Sequence, residues 1–126
     1  SFSDDYFDAI IAISTVEHIG LSGRYGIAED SSGDRKALAE MKRIVKPNGS
    51  ILITVPFGKA KILKPFCRIY DCALIGQLVD GLIIDKEEYY MQNVNDDWHK
   101  CQKEEAESAE STIYKSPICL LRLLKK

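Results

Sequence analysis

With 126 residues, of which 45% are hydrophobic and 29% are charged, the chain can bury one hydrophobic core and hardly two. Its 17 Lys and Arg residues against 19 Asp and Glu residues give a net charge of −2, which argues against nucleic acid or an anionic membrane as a partner. No apolar run is long enough to span a bilayer, and the first five residues do not resemble a signal peptide. We therefore expect a cytoplasmic protein.

The first predicted element is a strand from Phe7 to Ser14, which is apolar at nearly every position. Such a continuous run is typical of a strand covered on both faces in a parallel sheet. Glu17 and His18 follow this strand directly and place two ionisable groups where it ends.

A helix and a second strand are predicted next, with Asp34 capping the helix and Pro47-Asn48-Gly49 ending it. The second strand runs from Ile51 to Val55 and stops at Pro56. A strand, helix and strand in this order form a right-handed crossover between two parallel strands, whose carboxyl ends meet at one sheet edge. Ligands of open α/β sheets bind at that edge, so we expect a site around Glu17 and His18.

The remainder of the chain contains weaker patterns. A second helix is predicted at 74–79 with Asp71 as its cap, then a strand at 82–91 and a final strand at 118–124. The polar segment between these strands, 92–112, predicts a surface excursion with a helical turn near 103–109. We interpret Trp98 as the hydrophobic anchor of this excursion; the alternative is an exposed contact for a partner.

The four cysteines form neither a CxxC pair nor a dense disulfide pattern, so free thiols are expected. A metal site would need Cys67, Cys72, His99 and Cys101, whose spacings match no zinc pattern, and no metal is predicted. Three cysteines have apolar neighbours and are predicted to lie in the core: Cys67, Cys72 and Cys119.

Two stretches, "SDDYFDAIIAISTVEHI" and "ALAEMKRIVKPNGSILITVPFG", resemble the second half of a class I S-adenosylmethionine-dependent methyltransferase. More narrowly, "EHIGLSGRYG", "GDRKALAEMKRIVKPNG" and "RIYD" are similar to a poorly characterised methyltransferase-like family of unknown substrate. The resemblance implies an α/β, Rossmann-like fold with a mixed sheet. In that sheet the last strand, 118–124, is antiparallel and lies between strands 51–55 and 82–91.

The sequence has no counterpart of the family's glycine-rich cofactor-binding loop, and none of the acidic residue that holds the cofactor ribose. We therefore expect residues 1–126 to be the C-terminal half of a methyltransferase-like domain, without the N-terminal glycine-rich cofactor-binding half. Strand 7–14 would then be an open sheet edge, which predicts either self-association through that edge or an N-terminal half that covers it.

The resemblance also implies roles for residues after the first strand. Ser14, Thr15 and Val16 would line S-adenosylmethionine. His18 is the candidate general base, because an imidazole titrates near neutral pH, and Glu17 would orient it or face the cofactor's charge. In the alternative interpretation, Glu17 binds backbone donors of the loop and His18 bonds a carbonyl.

Four further residues are predicted to bind the acceptor substrate. Arg24 and Tyr25 lie in the glycine-rich loop after His18, and Arg68 and Tyr70 would belong to a lid. The alternative is that Arg24 is solvated and that Tyr70 packs in the core with either Tyr89 or Tyr90.

Two functions follow. In the first, the complete domain transfers a methyl group from S-adenosylmethionine to a small-molecule acceptor. In the second, the half-domain is a noncatalytic interaction module that uses its open strand edge. A different nucleotide-binding α/β protein is a third, weaker option, since a fold alone does not fix an activity.

Overall fold

The structure, a computed structural model, describes residues 1–21 and 29–126. The predicted substrate residues Arg24 and Tyr25 lie outside the described residues. The helices are α1 (Gly33–Ile44), α2 (Cys72–Leu78) and α3 (Lys103–Glu107), and a short 3-10 turn covers Val16–His18. The strands are β1 (Phe7–Ile13), β2 (Val45–Pro56), β3 (Lys61–Leu63), β4 (Cys67–Ile69), β5 (Ile83–Gln92), β6 (Trp98–Cys101) and β7 (Ile118–Leu124).

Five strands form one mixed sheet in the order β1-β2-β7-β5-β6. β1 and β2 are parallel, while β7 is antiparallel to both of its neighbours, β2 and β5. The predicted fold class, strand order and antiparallel last strand are therefore confirmed. β3 and β4 form a separate antiparallel pair, and β6 adds a fifth strand within the predicted excursion.

The hydrophobic core lies on one face of this sheet. Alternate residues of β2, namely Ile51, Ile53 and Val55, are fully buried and point to that face. All three helices contribute to the same core, through Leu38 of α1, Ile75 and Leu78 of α2, and Ala106 of α3.

The other sheet face has little cover. Ile11 and Ile13 of β1 remain 67% and 54% exposed, although both are large and apolar. Their partners on β2, Leu52 and Thr54, are only half-buried. In the part of the chain that the structure describes, the helices pack on the opposite face, so the apolar run of β1 is covered on one face only.

The ends of α1 differ from the prediction. The N-cap is Ser32, and Asp34 lies inside the first turn, where one carboxylate oxygen accepts from the Arg35 amide at 2.9 Å. The helix ends at Ile44, before Pro47. Pro47 to Gly49 instead lies within β2, where the register with β1 shifts and Asn48 takes a positive φ of 63°. The extra residues are accommodated as an irregularity of the strand.

Several smaller predictions can be compared with the structure. Asp71 caps α2 as predicted, because its side chain accepts from the Leu74 amide at 2.9 Å. None of the four cysteines forms a disulfide; Cys119 is buried, but Cys67 is only half-buried and Cys72 is exposed at the start of α2 rather than in the core. None of the helices in the described residues is long and apolar enough to cross a membrane.

Candidate functional site

The carboxyl ends of β1 and β2 are joined by hydrogen bonds of Ser14. Its backbone takes a φ of 48°, and its amide donates to the Thr54 hydroxyl at 3.0 Å and the Thr54 carbonyl at 3.2 Å. Thr15 follows, also exposed, and its hydroxyl donates to the Ile13 carbonyl at 2.9 Å. Val16 is fully buried in the core, so its side chain presents no surface to a cofactor.

Glu17 is 2% exposed, because the 3-10 turn after Thr15 directs it inward. Burial raises the pKa of its carboxyl, while a hydrogen bond with its own backbone and the nearby His18 oppose the shift. Its Oε1 atom is buried without a hydrogen-bond partner among the described residues. Its Oε2 atom lies 3.6 Å from His18 Nε2, so the acid and the imidazole are adjacent.

The orientation of the His18 ring is fixed by the Phe66 carbonyl, which lies 2.5 Å from His18 Nδ1. Because a carbonyl only accepts, Nδ1 must carry the proton, and Nε2 then holds the lone pair of the neutral ring. The alternative interpretation predicted a hydrogen bond from His18 to a backbone carbonyl, and this bond is present. The same bond places the basic nitrogen, Nε2, on the side of Glu17.

Both residues border a cavity of about 240 Å³ between the end of β2, strand β6 and the segment before β7. Two aromatic residues border the same cavity: Trp98, which is 52% exposed, and Tyr114, which is 90% exposed. Trp98 is thus not the buried anchor that the sequence predicted. The remaining residues around the cavity are Pro56, Cys67, Gln92, Thr112, Ile113, Lys115, Ser116 and Ile118.

Arg68 and Tyr70 are buried and form no exposed lid, which corrects that part of the prediction. The Arg68 guanidinium donates to the carbonyls of Ile19 and Asp30, the latter at 3.2 Å, and thereby holds together two points of the loop between β1 and α1. The Tyr70 hydroxyl donates to Asp34 at 2.7 Å. As the alternative interpretation predicted, Tyr70 packs in the core together with Tyr89.

The structure does not bring Arg68 and Tyr70 to the cavity beside Glu17 and His18. They border a different cavity of about 290 Å³, between the start of α1, β3 and α2. Sequence reasoning missed Tyr114 altogether. An exposed aromatic residue within a polar segment was the available signal for both Tyr114 and Trp98, but nothing local shows that the two segments meet at Glu17 and His18.

The structure is similar to the crystal structure of the [4+2]-cyclase SpnF, with a TM-score of 0.59 and 15% sequence identity. The match covers 98% of this chain and 51% of that chain, so this chain spans about half the length of SpnF. At this identity the likeness shows the fold alone, a methyltransferase-like α/β arrangement with a mixed sheet. Comparison with curated proteins gives no match.

A family comparison covers far more of the chain than any single motif does. Residues 2–118 match the family described as "Caenorhabditis protein of unknown function, DUF268". The match includes the end of β1, the Glu17 and His18 pair, and both sides of the cavity that they border. The chain therefore belongs to this family of unknown function, DUF268.

Proposed function

We propose that the chain is the acceptor-side, C-terminal half of a domain that transfers a methyl group from S-adenosylmethionine to a small molecule. The observation that carries the proposal is the adjacent pair Glu17 and His18, which borders a cavity at the carboxyl edge of a methyltransferase-like sheet. Ligands of open α/β sheets bind at this edge.

The cofactor would be held by this chain only in part. Ser14 and Thr15 are exposed at the end of β1 and would contact it, whereas the sequence contains no counterpart of the family's glycine-rich cofactor-binding loop to hold the remainder of S-adenosylmethionine. S-adenosylmethionine, when bound, supplies a methyl group activated by a sulfonium. The chain's own task is then to position the acceptor and to accept its proton.

His18 would accept that proton at Nε2, because its Nδ1 proton is committed to the Phe66 carbonyl. Glu17 lies 3.6 Å from the same Nε2 atom and would stabilise the ring once it is protonated. The Phe66 bond keeps the ring in one orientation, so Nε2 remains the basic nitrogen through the reaction.

Binding of S-adenosylhomocysteine to the chain tests the cofactor contacts directly. We expect the backbone amide resonances of Ser14 and Thr15 to shift on titration, since these residues are exposed at the proposed contact. A folded chain in which saturating S-adenosylhomocysteine leaves both resonances unchanged would contradict the assigned contacts.

In the complete domain, His18→Ala should lower turnover by about 10²- to 10⁴-fold, the usual contribution of a general base, and leave cofactor affinity nearly unchanged. His99→Ala is the matched control, because His99 is exposed on β6. Equal losses of turnover and cofactor affinity in His18→Ala would show that His18 has a positioning or folding role instead.

A second candidate function is a noncatalytic module that associates with a second copy through β1. The specific observation is the apolar edge strand, in which Ile11 and Ile13 are more than half exposed. Unpaired backbone groups at such an edge favour pairing with another strand. A monomeric mass at all concentrations in light scattering would exclude this function.

A further inference from the structure

We propose that the acceptor is a phenol, a planar ring bearing a hydroxyl group, which binds in the cavity bordered by Glu17 and His18. This inference rests on the proposed function and assigns the substrate class of the same site. Trp98 and Tyr114 carry the argument, because they come from different segments and border one cavity while remaining largely exposed.

The walls of the cavity suit a flat ring. Indole and phenol side chains stack on planar ligands, and Trp98 and Tyr114 both keep enough exposed surface to do so. Pro56 and Ile118 are register partners on β2 and β7, and they add an apolar surface to the same cavity. A volume of about 240 Å³ lies just below the usual range of ligand pockets, about 300 to 1,000 Å³, and suits a single ring system.

The charges around the cavity favour a neutral ligand over an anionic one. Lys115, the lysine that borders the cavity, lies 3.3 Å from the Asp96 carboxylate. Glu17 contributes a carboxyl group beside His18, which disfavours a phosphate or carboxylate at that position. An uncharged hydroxyl is compatible with both groups.

The chemistry of His18 selects among hydroxyl compounds. A phenol has a pKa of about 10, like the tyrosine side chain, whereas water and similar hydroxyls lie near 15.7. A base at His18 Nε2 can therefore remove the phenol proton in the transition state far more readily than the proton of such a hydroxyl. In the transfer, the phenolic oxygen bonds to the methyl carbon, the carbon–sulfur bond breaks with its electron pair remaining on sulfur, and the proton passes to His18 Nε2.

The single tryptophan of the chain provides the test. We would titrate the folded chain with 4-methylphenol and follow the indole NH resonance of Trp98. The expected result is a saturable shift, with 4-methylcyclohexanol binding at least about threefold more weakly because its ring cannot stack. Absence of a saturable shift, or equal affinity for the two probes, would overturn the proposal.

A matched pair of variants tests the location. Tyr114→Ala should weaken 4-methylphenol binding by about three- to tenfold, the value of one aromatic contact, while Tyr6→Ala should leave it unchanged. Tyr6 is exposed, like Tyr114. It lies before the start of β1, whereas Glu17 and His18 follow the end of that strand. Unchanged binding in Tyr114→Ala would overturn the assignment of this cavity.

The two titrations separate this inference from the proposed function. Phenol binding at Trp98 with no response of Ser14 and Thr15 to S-adenosylhomocysteine would leave a phenol site in a protein without the proposed cofactor contact. A response of Ser14 and Thr15 to S-adenosylhomocysteine without phenol binding at Trp98 would support the cofactor contact and exclude a phenol as acceptor.

Discussion

At the scale of single residues, Glu17 combines burial with an ionisable group. Its Oε1 atom has no hydrogen-bond partner among the described residues, and its Oε2 atom lies 3.6 Å from His18 Nε2. A buried, incompletely satisfied carboxyl normally lowers stability, and such arrangements are concentrated at functional sites. Burial of the Glu17 carboxyl is therefore expected to lower stability.

Glu17→Gln should change how stability depends on pH. Because burial raises the native pKa of Glu17, the folded state holds this proton more tightly than the unfolded state. Stability therefore falls as the pH rises from the usual carboxyl pKa towards the raised native value. Urea unfolding from about pH 4 to pH 8 should show the variant gaining stability relative to the wild type as the pH rises.

The control for this measurement is Glu104→Gln, at an exposed position of α3. We expect the free energy of unfolding of this variant to depend on pH as that of the wild type does. If Glu17→Gln also ran parallel to the wild type, the inferred effect of burial on Glu17 would be wrong.

At the scale of elements, the loop between β1 and α1 is closed at its base by Gly20 and Asp30. The Asp30 amide donates to the Gly20 carbonyl at 2.8 Å, and Arg68 binds the Asp30 carbonyl from the other side. Gly20 has a φ of 83°, and a Cβ atom there would lie 2.1 Å from the Asp30 carbonyl oxygen. This closure holds the turn that carries Glu17 and His18.

Gly20→Ala should lower the free energy of unfolding by at least about 1 to 3 kcal/mol, because it combines an unfavourable φ with a backbone clash. The same substitution at Gly76, inside α2, meets no atom within 4 Å and should raise stability by about 0.5 to 1 kcal/mol. Denaturant unfolding of both variants measures these opposite changes in the free energy of unfolding. A Gly20→Ala protein as stable as the wild type would show that the loop base does not close as described.

At the scale of the whole molecule, the sheet has its helices on one face and an apolar strand at its edge. Parallel strands such as β1 and β2 are normally covered on both faces, yet Ile11 and Ile13 remain exposed. An exposed apolar surface of this kind favours association, and we expect the chain to self-associate there.

Ile11→Lys should abolish the association expected of the wild-type chain, because it places a charge on the exposed apolar strand. Ile62→Lys is the matched control, since Ile62 is also an exposed isoleucine but belongs to β3, outside the main sheet. Light scattering over a concentration series measures the result. Equal masses for the wild type and Ile11→Lys at every concentration would contradict an interface at β1.

The parts of the fold predicted best are those encoded by local patterns. The continuous apolar runs of β1 and β2 indicated parallel strands, and Asp71 marked the start of α2. Asp34 shows the limit of such reasoning. Its spacing from the apolar positions of α1 suggested a cap, but its carboxylate is occupied by Tyr70, 36 residues away. A pattern of neighbouring residues contains no information about a hydrogen-bond partner so distant in the chain.

By itself, the sequence determined the element types of the main strands β1, β2, β5 and β7 and of the helices α1 and α2, the polar pair at the end of β1 and, through its family resemblance, the strand order. Those features depend on periodicity and on neighbouring residues, which the sequence displays directly. Only the tertiary structure decided that the buried Arg68 binds the loop between β1 and α1, and that Trp98 and Tyr114 border the same cavity as His18. These contacts join residues far apart in the chain, and they exist only once the sheet has brought its strands together.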